Sequence, residues 1–228
     1  MEYNNLEEVK SKVILGIFND GAEEFEIKDG PCIHKGAFVL RPLLPFPGSD
    51  QNGSDKTSFY VVGKEIMEYL TMDEKEILAL ARKNSMERYP GEMKVISDFM
   101  NLSDQMLVPD GVVIPQIYVL TNNSYCCGAA ALFYQPELLR NLSELTGKDL
   151  AVFPANTNCV YCVPVNNVDQ LREYQEMYQT AIEGNTEEVL LADVLHYDSV
   201  KKELKQLDGT IIDQEQTESK MHVRSFGR

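Results

Sequence analysis

Tryptophan is absent from the 228 residues, and histidine occurs only three times, at 34, 196 and 222. So few imidazoles leave little scope for metal ligation or for proton transfer near neutral pH. Basic residues are also scarce: 21 Lys and Arg stand against 36 Asp and Glu, a formal charge of −15. A chain this acidic repels phosphate backbones, which argues against nucleic-acid binding. No apolar run approaches the ~18 residues of a spanning helix. The opening MEYNNLEEVK has acidic residues where a secretory signal needs a basic start and an apolar stretch. A cytoplasmic protein without membrane contact is expected. The five cysteines, at 32, 126, 127, 159 and 162, are odd in number. Reduced thiols explain them better than a disulfide framework.

Catalytic signatures are missing as well. There is no G-x-x-x-x-G-K-[ST], no G-x-G-x-x-G, no G-x-S-x-G, no H-E-x-x-H and no calcium loop. P-loop chemistry is thereby excluded, and an α/β-hydrolase is disfavoured. No cofactor is expected. Zinc would need four convergent thiols. On strands, adjacent residues and residues three apart point to opposite faces, so Cys126-Cys127 and Cys159-x-x-Cys162 are each predicted to be split. No metal site is expected.

What is present is periodicity. Leu6, Val9, Val13, Ile14 and Ile17 recur at helical spacing behind the cap Asn5, predicting a helix to Asp20-Gly21. Short strands are predicted at 25–28, 37–40 and 57–62, with a surface loop over 42–56. Helices are predicted at 64–70, from a Thr71/Glu74 capping box to about Asn84, and at 95–100, with Pro90-Gly91 closing the helical region. In the C-terminal half, 113–120 and 125–133 read as a hairpin. A helix opening at Pro136 and ending at Gly147 follows, with a stripe of Leu138, Leu139, Leu142 and Leu145. Strands at 150–153 and 159–163, a helix capped by Asn167 and closed by Gly184, and a strand near 194–197 complete the pattern. The order β-β-α-β-β-α with short turns predicts an α+β fold, an antiparallel sheet with helices packed mainly on one face. Residues 1–208 are expected to form one domain, with a possible division near 105–112, and 209–228 a polar, mobile tail.

Three runs carry a resemblance: MDEKEILALARKNSMERYPGEMKVISDFM, then IYVLTNNSYCCGAAALFYQPELLRNLSELTGKDLAVFPANTNCVYCVPV, then EEVLLADVLHYDSVKKEL. In order and spacing, residues 65–205 resemble a clostridial family of unknown function; the N-terminal third matches it loosely. The resemblance implies a bacterial α+β protein and no particular activity. The family pattern has P-S-S-x-H-E where this chain has Pro154-Ala155-Asn156-Thr157-Asn158-Cys159, so Ser, His and Glu are all replaced. Catalysis through that turn is therefore not expected, and Cys159 is expected to be a protonated thiol in a strand.

Two Asn-rich turns, 121–124 and 156–158, remain as candidate polar sites. If both fall at the same end of the sheet, they would form a hydrogen-bonding rim beside Tyr118 or Tyr161, with Tyr118, Asn122, Asn156 and Asn158 as candidate ligand-binding residues. Asn also serves a turn without any ligand, because it tolerates left-handed backbone and bonds its own main chain. Cys32 and His34 are too close in sequence to imply a catalytic pair, and His196 could be oriented by Asp193 or Asp198. The leading expectation is a non-enzymatic module that binds a protein partner with a basic surface. The alternative is a small-molecule-binding domain or hydrolase using the Asn rim.

Overall fold

The computed structural model describes residues 5–20, 30–46, 58–99, 115–122, 124, 126–183 and 189–212. Helices and antiparallel sheets make an α+β fold, as the pattern predicts. In chain order the elements are α1 (Leu6–Lys12), β1 (Ile14–Asn19), β2 (Ile33–Lys35), β3 (Phe38–Pro45), β4 (Phe59–Val61), α2 (Lys64–Leu70), α3 (Glu74–Arg88), β5 (Gly91–Val95) and α4 (Ile96–Phe99). Then follow β6 (Tyr118–Asn122), a 3-10 turn (Gly128–Ala130), α5 (Ala131–Tyr134), α6 (Glu137–Thr146), β7 (Asp149–Asn156) and β8 (Cys159–Val165). The chain continues with α7 (Val168–Ile182), β9 (Leu195–Asp198), β10 (Glu203–Gln206) and β11 (Ile211–Ile212). The expected strand at 25–28, the possible division near 105–112, Gly184 and most of the loop at 42–56 lie outside the described residues.

Two antiparallel sheets result. In the smaller, β3 pairs with β1 along one edge and with β2 and β4 on the other. The larger has the order β11-β10-β9-β7-β8-β6-β5. One shared core lies between them, containing Leu15, Phe38, Leu40, Ile77, Leu120, Phe133, Leu139, Leu150, Val152 and Val160. Phe38 meets Phe133 edge to face, with ring centroids 5.5 Å apart. The opposite face of the large sheet packs Ala151, Val163 and Val165 against Leu171 of α7, with Phe153, Tyr174 and Tyr178 around them. The C-terminal helices are therefore not all on one face: α5 and α6 share the inner core and α7 covers the outside.

Several local expectations change. Helix α1 stops at Lys12, because Val13 is already extended (ψ 126) and the β-branched, apolar run behind it pairs with β3. The end of α1 is held from a distance. Asn84 Nδ2 donates to the Lys10 and Val13 carbonyls (both 2.8 Å), and Arg88 donates to the Ser11 carbonyl (2.8 Å). These α3 side chains satisfy carbonyls that a helix end leaves unpaired. The capping box is Asp73/Glu76, while Thr71 closes α2 in the left-handed region (φ 56). Pro42 and Pro45 fall inside β3, and Gly91 begins β5.

The hairpin expected at 113–133 does not form. Strand β6 pairs with β5 and β8, and the chain after it turns helical. Cys127 adopts φ 51, and the run Gly128-Ala-Ala-Ala enters a 3-10 turn and then α5; alanine is the best helix former. The start of the expected tail belongs to the sheet: Ile211–Ile212 pair with β10 and Ile212 is buried, while residues 213–228 lie outside the described residues. On α6, Leu139 and Leu142 are buried and Leu145 is 77% exposed. Truncating Leu142 to Ala should therefore destabilise the fold by roughly 2–5 kcal/mol. Leu145→Ala should change stability by no more than about 0.5 kcal/mol. Urea unfolding of both variants checks the contrast.

Candidate functional site

The two Asn-rich turns do meet, but their polar atoms hold each other. Asn122 is fully buried. Its Oδ1 accepts the Ser124 and Cys126 N–H groups (both 3.1 Å), and its Nδ2 donates to the Cys126 carbonyl (2.7 Å). Asn158 Oδ1 accepts the Cys127 N–H (3.1 Å), and its carbonyl accepts the Thr121 hydroxyl (2.8 Å). Asn156 Oδ1 accepts the N–H groups of Asn158 (2.9 Å) and Cys159 (3.1 Å). Gly128 fits where a side chain would not. A Cβ there would collide with the Asn158 carbonyl and lie 2.8 Å from Thr121 Oγ1 and 2.9 Å from the Asn122 nitrogen. The turns thus form a clasp that locks the 126–134 segment onto β6 and the β7–β8 turn. Tyr118 stands apart at the far end of β6, opposite Val95 and Cys162. It borders two open hollows of about 630 and about 670 Å³, the second of them flanked by β5 and α6.

The thiols sit in this clasp and the strands beside it. The neighbouring Cys126 side chain, then burial, pushes the Cys127 thiol well up. Burial pushes Cys159 up, partly offset by hydrogen bonds with Tyr161 and Asn156. Burial also raises Cys162 and takes Tyr161 and Tyr178 up to about 12. Cys126-Cys127 lies in a turn rather than a strand. Among the described residues, no group of three or more His, Cys, Asp or Glu side chains could hold a metal ion.

The partner of His196 is neither Asp193 nor Asp198 but Asp149, from the neighbouring strand β7: His196 Nε2 lies 2.7 Å from Asp149 Oδ2. Asp149 Oδ1 accepts the Ser199 N–H (2.9 Å) and hydroxyl (2.5 Å). Ser199 thus bonds the carboxylate and not the imidazole, which differs from the order that activates a serine nucleophile. Burial pushes the Asp149 carboxyl up, but the Ser199 hydrogen bonds and His196 outweigh it, and the net shift is downward. A second line joins Cys32 Sγ to His34 Nε2 (3.5 Å) and His34 Nδ1 to Asp20 (3.2 Å). The His34 and Asp20 side chains are 61% and 45% exposed, so this line stands in water without the exclusion of solvent that strengthens charge interactions in an active site.

A third hollow, smaller and more enclosed than the two beside Tyr118, lies elsewhere. A cleft of about 420 Å³ opens between α3 and the inner face of the small sheet. Leu15, Ile33 and Leu40 supply one wall, Leu78 and Ala79 the other, and Phe133 and Tyr134 close the end. Strand alternation puts Leu15, Ile33, Lys35 and Leu40 on one face. On α3, Lys75, Leu78, Ala79 and Arg82 share a helical stripe, while Ile77, Ala81, Asn84 and Ser85 are buried behind it. Ser85 Oγ accepts the Leu15 N–H (2.8 Å), tying the helix wall to the strand wall. Tyr134 is anchored by donation to the Tyr89 carbonyl (2.8 Å). Lys35, Lys75, Arg82 and Glu74 are the charged residues of the lining. Sequence reading missed this site, because its residues come from five separate elements and none forms a motif.

With the geometry in place, comparison with known proteins is informative at one level. A family model described as a family of unknown function (DUF5688) matches residues 2–199. The chain belongs to this family. No curated protein and no solved structure matches it. The match takes in the N-terminal sheet, beyond the 65–205 span of the sequence resemblance, so both walls of the cleft lie within the family's domain.

Two outcomes follow from these contacts. Gly128→Ala should destabilise the fold by about 1–3 kcal/mol, as overpacking against fixed backbone does, measurable by chemical denaturation. Because the Asp149 carboxyl is depressed, its contribution is complete above the unfolded value of about 4 and is lost as pH falls through the lower folded value. The thermal midpoint of Asp149→Asn should therefore lie furthest below the parent's near neutrality, and the gap should close in acid.

Proposed function

We propose that this chain is a binding module rather than a catalyst, and that its ligand enters the cleft beside α3. The observation that carries this reading is the cleft itself, whose volume of about 420 Å³ is within the usual range for small-molecule sites. Its walls are fixed from both sides, by Asn84, Ser85 and Arg88 on α3 and by the clasp that positions Phe133 and Tyr134. Two further features support binding over catalysis. The thiols of Cys127, Cys159 and Cys162 are held protonated by their surroundings. The side-chain oxygens of Asn122, Asn156 and Asn158 are engaged with the main chain, which favours the cleft over the rim for the small-molecule reading.

The charge of −15 favours a second reading, in which the acidic body also meets a protein partner with a basic surface. Such an association would be steered electrostatically and weaken steeply with salt.

A neutral, environment-sensitive apolar dye tests the cleft. One dye per chain should bind, with emission shifted to the blue. Ala79→Leu, which places a larger side chain in the cleft from an exposed helix position, should weaken binding at least about tenfold, equivalent to ~1.4 kcal/mol. Dye binding that Ala79→Leu leaves unchanged would contradict the reading.

A further inference from the structure

We propose that Cys126 and Cys127 form a redox modification site: a hydroperoxide joins the two adjacent thiols as a disulfide, and that bond loosens the clasp between the Asn turns. The site is independent of what occupies the cleft.

The placement of the pair carries it. The two side chains are hydrogen-bonded to each other. Cys127 is buried beside Ile14, Leu43 and Val61, and the half-buried Cys126 packs against that cluster. One sulfur therefore meets solvent first, and the other lies directly behind it. Their backbone is held on every side. Asn122 bonds the Cys126 N–H (3.1 Å) and carbonyl (2.7 Å). Asn158 Oδ1 accepts the Cys127 N–H (3.1 Å), and the Cys127 carbonyl accepts the Ala130 N–H (3.0 Å). Cys127 reaches these partners at φ 51, a left-handed conformation that glycine adopts freely and cysteine does not. Residues with side chains held in that region cluster at functional sites.

The Cys126 sulfur attacks the outer oxygen of the hydroperoxide. The O–O bond breaks, and the alcohol (water, from hydrogen peroxide) leaves with the thiol proton, giving a sulfenic acid. The Cys127 sulfur then attacks the Cys126 sulfur. The S–S bond forms, the S–O bond breaks, and the hydroxyl departs as water with the Cys127 proton. Two thiols are oxidised and one peroxide is reduced. The hydrogen bond with Cys126, then burial, keeps the proton on Cys127, so Cys126 is the sulfur that reacts first. Adjacent Cα atoms are about 3.8 Å apart, closer than the roughly 4.4–6.8 Å spanned by an ordinary disulfide. The bond is therefore easily reduced, and the modification is reversible. Ring closure also turns the peptide between the two cysteines. Its carbonyl bonds Asn122 and its N–H bonds Asn158, so oxidation pulls on both halves of the clasp at once.

Treatment of the full, folded chain with a small excess of hydrogen peroxide tests this. The intact mass should fall by two hydrogens. Thiol titration in denaturant should show two of the five cysteines lost, and alkylation followed by digestion should map the bond to Cys126 and Cys127. Dithiothreitol should restore both thiols. The oxidised chain should melt at a lower temperature than the reduced one and recover on reduction. Cys127→Gly suits the left-handed backbone and keeps the fold; it should lose the two-hydrogen change and accumulate a dimedone-reactive sulfenic acid at Cys126. Cys159→Ser should oxidise as the parent does. A chain that keeps all its thiols, a bond mapped to Cys159 or between two chains, or a sulfenic acid at Cys126 that never resolves in the parent would overturn the site. A Cys126–Cys127 bond that leaves the melting temperature unchanged would overturn the loosening of the clasp.

Discussion

The close approach of Gly128 to the backbone of Asn158 and to Thr121 is the contact on which the rest of the cleft depends. Only a residue without a side chain can lie there, and once it does, the chain beyond it has a single course. The 3-10 turn and α5 follow immediately, and they deliver Phe133 and Tyr134 to the interface between the sheets. Phe133 then meets Phe38 of the small sheet. The Asn side chains around this point act as structural donors and acceptors. Asn122 is buried, where an unpaired polar group is costly, and its amide is paired with the main chain; the half-buried Asn156 and the exposed Asn158 accept main-chain N–H groups of the segments they join.

The opposite wall is set by a different device with the same logic. Helix α3 carries Asn84, Ser85 and Arg88 on the side that meets the end of α1 and the start of β1, where they bond three carbonyls and one N–H. With that side committed, the Lys75–Arg82 stripe faces the cleft. Two sets of polar contacts, one fixing the helix wall and one positioning the residues that close the end, frame an apolar hollow between the layers. Ligand sites commonly lie at such boundaries between packed units.

Much of the architecture was legible locally. Asn5 and Asn167 cap their helices as their positions suggest, each accepting the N–H three residues on. Gly147 ends α6 in the left-handed region, and strands β4, β7, β8 and β9 occupy their β-branched and aromatic runs. What failed was decided at long range. The end of α1 depends on α3 side chains more than 70 residues away. The segment after Asn122 has strand-like cysteines and aromatics, but its alanines and the space for Gly128 make it helical. Thr71 and Asp73 both satisfy the capping spacing; Asp73 prevails because Thr71 is already needed to close α2. Asn122, Asn156 and Asn158 lie together at one end of the sheet, while strand β6 carries Tyr118 to the other end. The cleft was invisible because its lining residues form no motif in sequence and become a group only when β1, β2, β3, α3 and α5 come together.

A crystal structure of the chain grown with a saturating neutral apolar dye is the most direct test of this account. The account predicts density for one dye between α3 and the small sheet, against Leu15, Leu40, Leu78 and Phe133. An empty cleft under saturating conditions, with the dye bound elsewhere, would contradict it.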